Sequence, residues 1–433
     1  MTDQEYYNSI KGTVDDALDL IQSGDSIVTS IYGNEPVEFL NNICSIRDRV
    51  RDVIVWTLHT PYNYEFMTDN SLKGIIDIYS YFYVANGRKN HQFGRYNYFP
   101  VDLHNVCRIM KESTKAPNVF VAAVSPMDEN GNVYLSYDLQ NTIEFITSCD
   151  KVIFEVNKNH KKNYGDTAVS IRYATQIFET DTPLPIAPQL VSTETELKIG
   201  EYVASLVDDG DCIQLGFGGM PNAVGKLLMD KHDLGVHSEM INTAIGQLMK
   251  AGVLTNARKN FNPGVGVGAF VYGDQNLYDY VAENKAFMLK VAAYVNDPMN
   301  IMKNDNFVSI NTAIQVDLTG QICSESMGSS QFSGTGGAMD FAYGAFHSKG
   351  GKGIIAINST AKKGTISKIV PQLTPGAAVS IPRNIADHVV TEYGVAKLRG
   401  RTVKERAEAL INVAHPDFRA ELREQARKLM LIV

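Results

Sequence analysis

Cys212-Ile213-Gln214-Leu215-Gly216-Phe217-Gly218-Gly219-Met220-Pro221-Asn222-Ala223-Val224 reads as a short strand, a glycine-rich loop and the start of a helix. Glycines let a backbone approach a ligand closely, and Pro221 carries the fixed φ favoured in a helix's first turn. The first N–H groups of such a helix point into the loop and favour anionic or electron-rich groups. A glycine turn that binds nothing has the same pattern, so the loop needs a second signal. One follows a brief helix later, in Leu234-Gly235-Val236-His237-Ser238-Glu239-Met240-Ile241, a short apolar run with a lone carboxylate. Most glutamates are solvated surface groups, and a carboxylate is costly to bury without a purpose or a partner. Beside a backbone cradle, Glu239 is a candidate nucleophile.

Earlier in the chain the same unit occurs. Ala17-Leu18-Asp19-Leu20-Ile21-Gln22-Ser23-Gly24-Asp25-Ser26-Ile27 echoes Val203-Ala204-Ser205-Leu206-Val207-Asp208-Asp209-Gly210-Asp211-Cys212-Ile213 at a shift of 186 positions. Both read helix, Gly-Asp turn, strand, and the same shift pairs Gly33 with Gly219, which suggests a tandem repeat of one α/β unit. The second copy holds the glycine loop where the first has Tyr32-Gly33-Asn34-Glu35, so the catalytic loop is expected in the second half. Apolar runs at 53–56, 119–124, 152–156 and 353–357 alternate with helical patterns. Bare runs of this kind fit strands covered on both faces of a largely parallel sheet. Thr180-Asp181-Thr182-Pro183-Leu184-Pro185-Ile186-Ala187-Pro188 is too proline-dense for a helix or a central strand and reads as a linker or a long surface loop. The expected fold is α/β, with two tandem domains of mostly parallel sheet at 1–187 and 188–433. Residues 403–410 and 417–429 carry the apolar spacing of amphipathic helices.

The bulk numbers narrow the function classes. At 433 residues, two or three domains are expected. A hydrophobic share of 44%, a charged share of 20% and a mean hydropathy of −0.14 are ordinary for a soluble globular enzyme. No apolar run approaches a bilayer span, and Met-Thr-Asp-Gln-Glu-Tyr-Tyr lacks the pattern of a secretory leader, so a cytoplasmic protein without a membrane partner is expected. A net charge of −8 argues against a nucleic-acid binder. The five cysteines are far apart, without Cys-x-x-Cys, which makes a metal site or a disulfide framework unexpected. Lys349, Lys352, Lys362, Lys363 and Lys368 form one basic stretch that reads either as a phosphate contact or as a solvated loop.

The ordered segments 216–221, 235–240, 309–317, 332–341, 359–364, 390–407 and 411–418 resemble the acetyl-CoA hydrolase/transferase group of family I CoA-transferases, particularly its 4-hydroxybutyrate and butyryl-CoA:acetate branches. The first half resembles it more thinly, through Val-Ser-Pro-Met-Asp-Glu-Asn-Gly (124–131) and Glu-Val-Asn (155–157). The resemblance implies two CoA-transferase-type domains with the active site at their interface, a homodimer, and coenzyme A as a substrate with no permanently bound cofactor. It implies that Glu239 attacks an acyl-CoA to give a mixed anhydride and then a γ-glutamyl-CoA thioester, a ping-pong scheme. Gly336 and Gly337 then offer N–H donors to the tetrahedral oxygens and Asn296 a side-chain amide. Gly216, Phe217, Gly218, Gly219, Met220, Ile314, Gly337 and Lys362 match positions that hold CoA.

Plainer readings stand beside these. Gly334–Gly337 reads equally as a tight turn, Asn296 before Asp297-Pro298 as a turn cap, and Glu392 and Tyr393 as polar helix entry. His237 would share a strand face with Glu239 and reads as an orienting neighbour rather than a general base, because the nucleophile is expected to be ionised already. The chain departs from the family pattern at Ile241-Asn242-Thr243-Ala244, Ala338, Ala342-Tyr343-Gly344 and Pro382-Arg383-Asn384, all expected near the acyl pocket or its support. Alternatives to a short-chain acyl-CoA:carboxylate transferase are a thioester hydrolase using the same glutamate and a non-catalytic CoA-binding protein. A dinucleotide-dependent dehydrogenase fits poorly, since Pro221 stands where the third glycine belongs.

Overall fold

The computed structural model describes residues 1–216 and 218–432, the side chain of Asn86 excepted. The chain divides into two compact units, Met1–Ala187 with Val267–Tyr294, and Pro188–Gly266 with Val295–Val433. The contiguous reading, 1–187 and 188–433, differs from this over residues 267–294, which group with the first unit. Aromatic burial draws them there: Tyr32 stacks on Tyr272 with ring centroids 4.2 Å apart, and the Tyr278 hydroxyl donates to the Pro185 carbonyl at 2.8 Å. Residues 181–193 form neither helix nor strand, as their prolines require.

In the first unit, β1 (Ser26–Thr29), β2 (Val53–Thr57), β3 (Ile76–Ser80), β4 (Tyr96–Tyr98), β5 (Val119–Val124), β6 (Lys151–Asn157) and β7 (Gln176–Thr180) form one sheet in the order β4-β3-β2-β1-β5-β6-β7. Every adjacent pair is parallel. β2 and β5 are buried at every position, so the bare apolar runs reflect two covered faces rather than one. In the second unit, β8 (Cys212–Leu215), β9 (Gly235–Ile241), β10 (Phe307–Asn311), β11 (Lys352–Ala356), β12 (His388–Thr391) and β13 (Gly394–Lys397) run in the order β9-β8-β10-β11-β12-β13. They are parallel except for the closing β12–β13 hairpin. Helices Val403–Val413 and Pro416–Lys428 then lay Leu410, Ile411 and Leu422 into the apolar core beneath that hairpin.

The faint internal echo is a real repeat of structure. Gly24 and Gly210 both take left-handed φ, 85° and 87°. Asp25 accepts from the Gln22 N–H and Asp211 from the Asp208 N–H, at 2.8 and 2.9 Å. Lys151, the first residue of β6, reaches the Leu20 carbonyl and Asp25; Lys352, the first residue of β11, reaches the Leu206 carbonyl and Asp211. Each lysine therefore ties the amino edge of its sheet to the preceding helix.

The copies part company at the carboxyl edge. In each sheet the strand order reverses beside the first strand of the repeat, at β1–β5 and β8–β10, where α/β sheets open a crevice for ligands. After β1 the crevice is filled from within. Asn34 donates to the Ala123 carbonyl and accepts from the Tyr137 N–H, while any Cβ on Gly33 would meet Tyr137. After β8 the glycine loop takes that place.

Below the first crevice lie two buried carboxyls, Glu35 and Glu155. Desolvation pushes Glu35 up to about 8, against bonds from Thr60 and Tyr64, and Glu155 up to about 7. A carboxyl raised by folding contributes full stability below its unfolded value and loses it as pH climbs through the folded value. Glu35→Gln is therefore expected to melt higher than the parent protein at pH 8.5, by the order of 1–3 kcal/mol, and to converge with it near pH 4.5; paired thermal melts at the two pH values check this.

Candidate active site

β9 carries Glu239 toward its carboxyl end because Gly235, Val236 and Ile241 pack as strand core. The carboxylate keeps some surface accessible, yet protein groups close around it. Asn296 Nδ2 donates to Glu239 Oε2 at 2.8 Å, and the Gly337 backbone N–H also reaches the carboxylate. Gly337 caps helix Ala338–His347, so this N–H belongs to a helix amino terminus and carries its partial positive charge. Asp340, in the first turn of the same helix and fully buried, opposes the charge on Glu239. Desolvation outweighs the two donors, and Glu239 titrates at about 7. Burial therefore holds Glu239 toward its neutral form, against the expectation of a group already ionised. A less solvated carboxylate is also a stronger nucleophile once ionised.

The other expected residues divide. Gly337 needs to be glycine, since a Cβ there would run into Glu239 Oε2 and Asn296 Nδ2. Gly336, with φ 53°, forms the left-handed turn that aims its neighbour, so the N–H reaching Glu239 is Gly337's. Gly218, φ 128°, is the N-cap of helix Gly219–Leu227, which buries Met220. Gly216 donates to the Ile310 carbonyl at 3.1 Å and anchors the loop to β10. Phe217 lies outside the described residues. Ile314 donates its backbone N–H to the Cys323 carbonyl, and Lys362 stands exposed with φ 47° in the turn of the hairpin Thr360–Ala361/Ile366–Ser367.

Contiguity misled the reading of the basic stretch. β11 separates its members, leaving Lys352 paired with Asp208 and Asp211 at the amino end, and Lys362, Lys363 and Lys368 beyond the carboxyl end. Lys368 is shifted down to about 8 by desolvation, with Glu392 pulling it back up. Glu392 accepts from the Ser359 N–H and hydroxyl at 2.9 and 2.6 Å, while Tyr393 packs edge-on against His415.

Two side chains support the glycine loop, Asn242, which the sequence placed near the pocket or its support, and Gln214, which escaped the sequence reading. Asn242, one of the departures from the family pattern, caps helix Thr243–Lys250 through the Ile245 N–H and donates to the Gly216 carbonyl at 3.1 Å. Tyr343, another departure, instead lies on His347 and is 37% exposed. Beneath the glycine loop, Gln214 Oε1 accepts from Ser309 Oγ, the Ile310 N–H and Asn311 Nδ2. Polar Gln214 and Ser309 inside apolar strands were the available signal.

A desolvated carboxylate, flanked by an amide and a helix-terminal N–H on the carboxyl edge of a parallel sheet, defines an α/β enzyme of the acyl-transfer class. The chain belongs to the acetyl-CoA hydrolase/transferase family: residues 1–188 match the family's N-terminal domain and 273–426 its C-terminal domain. It is similar to the succinyl-CoA:cyclohexane-1-carboxylate CoA transferase of Geobacter metallireducens, with 40% identity covering 99% of this chain and 97% of that one. It is equally similar to the 4-hydroxybutyrate coenzyme A transferase of Clostridium kluyveri, with 40% identity over 98% of this chain and 99% of that one. Among solved structures, RipA from Yersinia pestis superposes with a TM-score of 0.92 at 34% identity, covering all of both chains.

Gly337→Ala is expected to lower turnover by roughly 100-fold or more, on the scale of a misaligned transition-state donor, because its Cβ displaces Glu239 and Asn296, and to lower the thermal melt as an overpacked site does. Steady-state kinetics beside the melt tests this.

Proposed function

We propose that the protein is a CoA-transferase that exchanges coenzyme A between short-chain carboxylates, with Glu239 as the covalent carrier and butyryl-CoA or 4-hydroxybutyryl-CoA with acetate as the substrate pair. The hydrogen-bonded, desolvated state of Glu239 carries this reading. Its carboxylate oxygen attacks the thioester carbonyl, the C–S bond breaks, and CoA thiolate leaves with the electron pair. The product is an acyl-glutamyl anhydride. The thiolate then attacks the γ-carbonyl of Glu239, releasing the first carboxylate and leaving a γ-glutamyl-CoA thioester. The second carboxylate attacks that thioester and returns through its own anhydride to free Glu239 and the new acyl-CoA.

Each tetrahedral stage builds charge on an oxygen beside Asn296 Nδ2 and the turn Gly336–Gly337, whose donors are already aimed there. We assign the loop Gly216–Met220, with Ile314 and Lys362, to holding CoA as substrate. No resident cofactor is required, because every bond made or broken lies between Glu239, CoA and the two acids. No helix among the described residues is long and apolar enough to cross a membrane. A cytoplasmic homodimer completes the proposal.

Net hydrolysis is the competing outcome, since water attacks both intermediates wherever it enters. The relatives of highest identity named above are transferases, which favours transfer.

Two experiments test the proposal. Borohydride reduction of protein incubated with butyryl-CoA is expected to convert Glu239 to its alcohol, seen by peptide mass spectrometry, with no product from Glu239→Ala. Unmodified Glu239 under turnover would sink the covalent route. Because the attacking group is the carboxylate, kcat/KM is expected to fall about tenfold per pH unit below a limb near 7 and to level above it; a pH–rate profile over a panel of C2 to C5 acids reads both the limb and the acyl preference.

A further inference from the structure

His237 is fully buried, and its chemistry is unusually constrained. Nε2 lies 2.7 Å from the Val295 carbonyl oxygen. A carbonyl only accepts, so Nε2 carries the proton and Nδ1 is the bare nitrogen. Nδ1 is buried without a hydrogen-bond partner. The rings of Phe261 and Phe307 stand about the imidazole, 6.4 and 6.3 Å away between centroids. Desolvation, with the nearby Lys259 ammonium, holds the ring down to about 3. Its one ring proton is committed to the Val295 carbonyl, and the ring has no exposed surface through which to exchange it with substrate.

What remains is a single directed hydrogen bond, and its place in the site is informative. Residues 237 and 239 of β9 project from one strand face, two positions apart. Against that face lie two consecutive residues of another segment. His237 bonds the Val295 carbonyl, and Glu239 receives the Asn296 amide. On the far side of Asn296, Asp297 caps helix Pro298–Ile301 through the Met299 N–H at 2.9 Å. Asn296 is thus pinned upstream by His237 and downstream by its neighbour's cap. From the loop after helix Thr243–Lys250, Lys259 supports β9 by donating to the Val236 carbonyl at 3.0 Å.

We propose that His237 is a positioning residue for the transferase reaction: its Nε2–H holds the Val295 carbonyl and thereby sets the Asn296 amide against the Glu239 carboxylate. The role in catalysis rests on Glu239 being the covalent carrier; the positioning itself does not. An amide displaced by about an ångström forfeits much of its effect on a transition state. The charged neighbours of Glu239 are otherwise unchanged by a substitution at 237, with Asp340 opposing its charge and Gly337 supporting it.

The test compares parent protein, His237→Phe, His237→Gln and Glu239→Ala. Glutamine places an amide N–H near the reach of Nε2, whereas phenylalanine keeps the ring volume without the donor. Expected for His237→Phe is a kcat loss of roughly 10- to 100-fold with KM for the acyl-CoA little changed, and an acid limb moved above 7. His237→Gln is expected to recover most of both. Equal impairment of the two variants with an unmoved limb would reduce His237 to a packing residue, and parent-like kinetics in His237→Phe would overturn the proposal outright. If the parent itself transfers no CoA, the covalent assignment fails separately. Carboxyl ¹³C NMR titration of Glu239 then decides the positioning alone: a higher titration midpoint in His237→Phe than in the parent sustains it, and an unchanged midpoint removes it.

Discussion

A carboxylate taken out of water next to two aimed N–H donors is the constraint around which the second unit is arranged. Desolvation makes the charge on Glu239 costly, and the amide of Asn296 with the N–H of Gly337 offsets part of that cost. Neither donor is local in sequence. One comes from the segment before helix Pro298–Ile301 and the other from the amino end of helix Ala338–His347. The parallel sheet brings them together, because parallel strands present all their carboxyl-end loops on one edge. The same topology places Gly216, Asn311, Ser359 and Glu392 along that edge, Asn311 as the last residue of β10 and the others just after β8, β11 and β12.

The two units show how one scaffold supports different ends. At the amino edge, the lysine–aspartate tie and the left-handed glycine are repeated in both, Lys151 with Asp25 and Lys352 with Asp211. Those contacts hold helix to sheet, so they persist whatever the site does. At the carboxyl edge Asn34, Tyr137 and Tyr32 occupy the first crevice, and Tyr32 tolerates φ 48° because its ring is stacked against Tyr272. In the second unit Gly218 holds φ 128° at the shifted position of Tyr32 and leaves the backbone bare. The two units therefore share their amino-edge contacts and differ at the carboxyl edge.

Much of the fold was legible along the chain. The runs at 53–56, 119–124, 152–156 and 353–357 became β2, β5, β6 and β11, because a strand buried on both faces must be apolar at every step. The residues 403–410 and 417–429 became the closing helices for the corresponding reason at helical period. Residues 267–294 were not legible as a return to the first unit, since their apolar pattern says that they are buried without saying against what. The lysine stretch was not legible as two groups for a related reason: neighbours in sequence are carried to opposite edges when a strand lies between them.

Residue type and order alone determined that Glu239, Asn296 and the Gly336–Gly337 turn were the groups to watch, and which family the chain belongs to. The tertiary structure decided that the helix-terminal N–H beside Glu239 is Gly337's, that burial pushes the carboxyl up, and that His237 is bonded to the Val295 carbonyl. Chemical identity is written locally in each side chain, whereas the proton affinity and the direction of a hydrogen bond depend on what the fold packs around it.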